Sequence, residues 1–142
     1  MRHPLFCRPV RLAMAALLVA AAAGCGGPKK KVVPVEGRIV FADGQPLPPG
    51  TRLIFNPVEG GAAAATAVTA ADGSFKVTHI SGAGGTEPGR YTVLLAAPEG
   101  DPGNFFRIVP PAYYDGGSLH VEAKEGMAPL HLKVARARIK GR

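Results

Sequence analysis

After residue 27 no stretch of this chain sustains a helical period; apolar residues alternate with polar ones over short runs, each closed by Gly or Pro. That pattern confines the chain to short strands joined by tight turns. Val35, Gly37, Ile39 and Phe41 alternate with Glu36, Arg38 and Val40, and Asp43-Gly44 with Pro46-Leu47-Pro48-Pro49-Gly50 makes the first turn. Further strands are expected over residues 51–57, 66–70, 74–80 and 90–97. Asp72-Gly73 is read as the hairpin turn that sets the register of 66–70 against 74–80, because Asp and Gly tolerate positive φ. The stretch 90–97 is the most apolar and is expected at the centre of a sheet. Residues 98–117 read as a long irregular connection, and 118–124 with 129–136 as a final hairpin around Glu125-Gly126. Seven short strands with regular turn signals predict an all-β, antiparallel Greek-key sandwich. Its expected core is Ile39, Phe41, Leu53, Phe55, Phe75, Val77, Tyr91, Val93, Leu95, Leu119, Val121, Leu130 and Leu132.

The N-terminal stretch follows a different logic. Residues 1–11 carry Arg2, Arg8 and Arg11 and no acid, and residues 12–23 are unbroken apolar sequence. That run is too short for a spanning helix, which takes about 20 apolar residues. A basic start, a short apolar helix and small residues after it describe an export signal. Its end, Ala22-Ala23-Gly24-Cys25, resembles the bacterial lipobox, with Ala22 where that motif usually carries Leu. The resemblance implies that Cys25 receives the lipid and becomes the first residue of the mature chain. Residues 1–24 are then the signal peptide, 25–33 a lipidated flexible linker, 34–137 the sandwich and 138–142 a basic tail. Cys7 would leave with the signal, so neither a disulfide nor a thiolate metal site is expected.

The net charge of +7 is concentrated at the ends. Lys29, Lys30 and Lys31 lie in the linker, and Arg138, Lys140 and Arg142 in the tail, whereas acids outnumber bases over 34–137. A nucleic-acid footprint would be a basic stripe with aromatics on the folded surface. None is legible, so no nucleic-acid partner is expected, and the basic ends are read as contacts with anionic head groups.

Three segments carry a family resemblance across the mature chain. They are Val35-Glu36-Gly37-Arg38-Ile39-Val40 with Asp43-Gly44-Gln45-Pro46-Leu47, then Thr69-Ala70-Ala71-Asp72-Gly73-Ser74-Phe75, then Pro88-Gly89-Arg90-Tyr91-Thr92-Val93. In this order and spacing they resemble the carboxypeptidase regulatory-like domain, a transthyretin-like (prealbumin-type) sandwich. The stretch Ile108-Val109-Pro110-Pro111-Ala112-Tyr113-Tyr114-Asp115 resembles short bacterial lipoproteins built on that domain. The resemblance implies a non-catalytic module of the bacterial cell envelope, exported and held by its lipid at the outer membrane, facing the periplasm or the cell surface.

Chemistry-bearing motifs are few. No Gly-x-Ser-x-Gly elbow, His-Glu-x-x-His helix, phosphate loop or EF-hand loop is present. Pairing Lys124 with Pro129 in the last hairpin would set Glu122 opposite His131 and His120 opposite Lys133, and the ordinary reading of that face is a polar exterior. Neither an enzyme, nor a metal, nor a cofactor is expected. The candidate binding surface is the 98–117 connection, where Phe105, Phe106, Tyr113 and Tyr114 gather half of the mature aromatics. They either cap the open end of the core, the favoured reading, or stack on a glycan or an envelope protein partner. The function expected is that of a structural or protein-interaction module, with a lipid-anchored carbohydrate-binding module as the alternative.

Overall fold

The computed structural model describes residues 30–138. The signal region, Cys25 and most of the basic tail lie outside the described residues. Within them two sheets enclose one core. The strands are β1 (Glu36–Phe41), β2 (Arg52–Pro57), β3 (Ala65–Val68), β4 (Ser74–Lys76), β5 (Thr78–His79), β6 (Gly89–Ala96), β7 (Leu119–Ala123) and β8 (Leu130–Val134). One sheet has the order β4-β1-β8 and the other β5-β3-β2-β6-β7.

Side chains alternate across each strand, so the same parity that marked the sequence fills the interior. Ile39 and Phe41 from β1, Leu53 and Phe55 from β2, and Tyr91, Val93 and Leu95 from β6 are all buried. Of the core expected from sequence, Leu130 alone is half-buried. Tyr91 shows how a polar atom is accommodated inside: its hydroxyl donates to the Glu87 carbonyl at 2.8 Å and accepts from the Thr86 hydroxyl at 3.0 Å.

Several expectations are corrected. There are eight strands, and the pairing is not wholly antiparallel: β1 and β8 run parallel, with Ile39 opposite Leu132 and Phe41 opposite Val134. The final hairpin does not form. β7 pairs with β6 and β8 with β1, so the Glu125-Gly126 turn carries the chain from one sheet to the other. β1 offers an edge where the inward residues Leu132 and Val134 meet Ile39 and Phe41, and burying that apolar set outweighs local pairing. The close fit shows at Gly37, where a Cβ would stand 2.4 Å from the Leu130 carbonyl oxygen.

The expected strand 74–80 divides at buried Val77, whose N–H donates to Val35 at 2.9 Å while its carbonyl accepts from Gly85. Residues before it pair with β1 and residues after it with β3. The Asp72-Gly73 turn therefore joins strands of different sheets. It is still the tight turn expected: Gly73 has φ +83°, its N–H donates to Ala70 at 3.0 Å, and a Cβ there would meet the Ile39 carbonyl oxygen at 2.4 Å. β6 is interior, but the middle strand of its sheet is β2.

The N-terminal boundary also moves. Val33, grouped by sequence with the linker, is 1% exposed and exchanges two backbone hydrogen bonds with Thr86, at 2.8 and 2.9 Å. Lys31 pairs with Glu125 at 2.6 Å.

Strand directions define two poles. The chain enters at the pole that holds Val33, the start of β6 and the end of β7. Because β8 is parallel to β1, the chain leaves β8 beside Phe41 at the other pole. Arg138 thus emerges at the pole opposite Lys30 and Lys31.

Candidate functional site

The 98–117 connection is not irregular. It holds two short helices at the C-terminal pole, α1 (Pro102–Ile108) and α2 (Pro111–Tyr114). Asp101 caps α1, its carboxylate accepting from the Asn104 N–H at 3.1 Å, and Pro102 occupies the first turn, where no N–H is needed. With fewer than two full turns each, neither helix has room to display a period in sequence.

The four aromatics sit on these helices with unequal roles. Phe105 is 0% exposed and closes the core, as the capping reading expects, whereas Phe106 points outward at 50% exposure. Phe106 meets Phe105 edge-on at 5.3 Å and Tyr114 edge-on at 5.1 Å between centroids. Tyr113 is half-buried and its hydroxyl accepts from the Ala135 N–H at 3.0 Å. Ala137 donates to the Ile108 carbonyl at 2.8 Å, so the segment after β8 is bound along both helices.

Beside this cap lies an open depression of about 610 Å³. Pro46, Pro48, Pro49 and Pro98 form much of its wall, with Asp101 and Arg136 as its charges. Arg136 Nε donates to the Asp43 carboxylate at 3.1 Å. The Gln45 N–H holds the Asp43 carboxyl below its ordinary pKa, and Arg136 adds to that effect. The arrangement presents a stiff, partly apolar concavity walled by prolines. It contains no nucleophile paired with a base.

The histidine–carboxylate face considered from sequence is not assembled. His120 stands opposite Thr92 and Glu122 opposite Arg90, while His131 lies beside Arg38 in the other sheet. Among the described residues no group of three or more His, Cys, Asp or Glu is placed to hold a metal ion.

A second polar cluster, at the N-terminal pole, was not legible in sequence. His79 Nε2 lies 3.3 Å from a Glu87 carboxylate oxygen, and its Nδ1 is 2.8 Å from the Ser81 hydroxyl. Glu87 is 7% exposed, and its other oxygen faces Lys30 Nζ at 3.5 Å. Serine, histidine and glutamate are the residue types of a hydrolytic triad. Here, however, the Ser81 backbone N–H also donates to Nδ1, at 3.2 Å, so the nitrogen that would take the serine proton is already engaged by the turn itself. The cluster braces residues 79–82. Its only sequence trace is His-x-Ser in a glycine-rich loop with Glu87 beyond it.

Among the described residues no helix is long and apolar enough to cross a membrane. Searches of family models, curated proteins and solved structures give no match to this chain.

Proposed function

We propose that this chain is a lipid-anchored, non-catalytic module of the bacterial cell envelope that acts by contact. The observation that carries the reading is Cys25 standing at the end of the apolar run 12–23, only eight residues before Val33 joins the folded domain. The transthyretin-like, Greek-key assignment of carboxypeptidase regulatory-like type belongs to the same proposal. It draws support from the two-sheet architecture and from the crossings between sheets at Val77 and between β7 and β8. Placement at the outer membrane, facing the periplasm or the cell surface, is part of the proposal as well.

The polarity of the fold supports a contact role. A chain held at its N-terminus turns the pole with Phe106 and the proline-walled depression away from the anchor. Cys25→Ser tests the anchor: the variant is expected in the soluble fraction, and the unaltered protein in the membrane fraction with an acylated Cys25 by mass spectrometry. A variant that remains membrane-bound with its acyl chains would overturn the proposal.

A second reading, a glycan-binding module, rests on half-exposed Phe106, whose ring stands out from α1 beside Tyr114 and could stack on a sugar ring. A glycan array compared with Phe106→Ala tests it: retention that persists without the ring removes that reading.

A further inference from the structure

Ile80 is the most exposed large apolar side chain among the described residues, at 78%. It projects from the corner of a turn in which Gly82 donates to the His79 carbonyl at 2.8 Å and His79 donates to Ala83 at 2.8 Å. The same turn is braced from within by the contacts of His79 with Ser81 and with buried Glu87. A floppy loop could fold its isoleucine back onto the protein; a braced one holds it out. The side chain is therefore held out into the surroundings of the domain.

The course of the chain indicates what those surroundings are. Glu87, which holds the turn, also holds Lys30. Lys30 is five residues beyond Cys25, a reach of at most about 17–18 Å at 3.3–3.6 Å per residue. The Ile80 turn thus stands beside the point where the chain would rise from the bilayer. Val58, also exposed, adds a second apolar side chain at this pole, beyond the end of β2. Three carboxylates at this pole are matched: Glu59 pairs with Arg90, Glu87 with Lys30 and His79, and Glu125 with Lys31, while Glu122 lies across from Arg90. Pairing of this kind removes the repulsion that free carboxylates would feel from anionic head groups.

We propose that the 79–82 turn is a lipid-docking tip, with Ile80 seated at the boundary between head groups and acyl chains of the bilayer that carries the anchor. The inference rests on the acylation of Cys25 proposed above. One isoleucine would not hold a soluble protein on a membrane. On a tether this short the contact is effectively intramolecular, and a weak apolar interaction is enough to fix orientation. The sandwich then stands upright, with its aromatic cap directed away from the lipid.

The chain has no tryptophan, so a single replacement reports without background. The mature acylated protein carrying Ile80→Trp is reconstituted in vesicles of phosphatidylethanolamine and phosphatidylglycerol, with and without brominated acyl chains. The expected result is a blue-shifted emission, strong quenching by the brominated lipid and protection from aqueous iodide. Val68→Trp, at the opposite pole, is expected to stay open to iodide and untouched by the brominated lipid. If Trp at position 80 is open to iodide while mass spectrometry shows Cys25 acylated, the docking tip is overturned and the anchor stands. Shielding from iodide without quenching by the brominated lipid would mean that protein covers the tip, and also overturns it. A chain that is not acylated and stays soluble overturns both.

Discussion

The guanidinium carbon of Arg136 sits 4.0 Å from the centroid of the Phe41 ring while its Nε donates to Asp43. One side chain thus joins the segment after β8 to the end of β1 and to the turn that follows. Its stem and charge cover a ring that would otherwise face the proline-walled depression. Arg136→Ala is expected to cost about 0.5–1 kcal/mol through the lost ring contact. The exposed ion pair adds little to that. Chemical denaturation checks this, with Phe41→Leu in the same background showing whether the two effects are coupled.

Phe105 and Phe106 are sequence neighbours with opposite duties. Phe105→Ala should cost about 3–5 kcal/mol, as expected for a large side chain removed from a closed core. Phe106→Ala, on the exposed side of the same helix, should leave the thermal midpoint almost unchanged. Comparable losses for both variants would show that Phe106 is part of the cap rather than a contact surface.

Tyr91→Phe deletes one oxygen from the core and orphans two groups, the Glu87 carbonyl and the Thr86 hydroxyl. An unmet buried partner costs about 1–3 kcal/mol. Urea unfolding of Tyr91→Phe should show that loss. The double variant Tyr91→Phe, Thr86→Val should lose less than the sum of the two single variants.

Asp72 links stability to acid. The Ser74 hydroxyl, then the Ser74 N–H, hold its carboxyl below the ordinary aspartate value. A pKa depressed in the folded state contributes stability that is present above the unfolded value and is lost as pH falls through the folded one. The urea midpoint of the unaltered protein should therefore fall on acidification through that range. Asp72→Asn should remove part of the fall without changing the slope near neutral pH.

Much of the sandwich was legible because strand alternation is local. The parity of Ile39 and Phe41, or of Tyr91, Val93 and Leu95, is visible without knowing any partner. Partner choice is not local. Glu125-Gly126 announces a turn but does not say that β8 will cross to lie parallel to β1, because that depends on the apolar edge that Ile39 and Phe41 leave open. Val77 likewise reads as an ordinary strand residue until Val35 and Gly85 claim its N–H and carbonyl on opposite sides. At the candidate site, composition identified the four aromatics, but which of the adjacent pair Phe105 and Phe106 faces inward depends on helix α1, too short to betray its phase. The His79–Glu87 brace left almost no trace, since its members meet only when a glycine-rich loop folds back.

β1 begins at the pole where the chain enters, and β8 ends at the other, side by side and parallel. Tension applied between the two ends of the domain would therefore pull these strands past one another along their length. The register pairs from Gly37–Leu130 to Phe41–Val134 would bear that load together instead of parting one by one. A sandwich wired in this way resists stretching in shear, so a load applied at its C-terminal end would pass through it to the N-terminal end without peeling open its first strand.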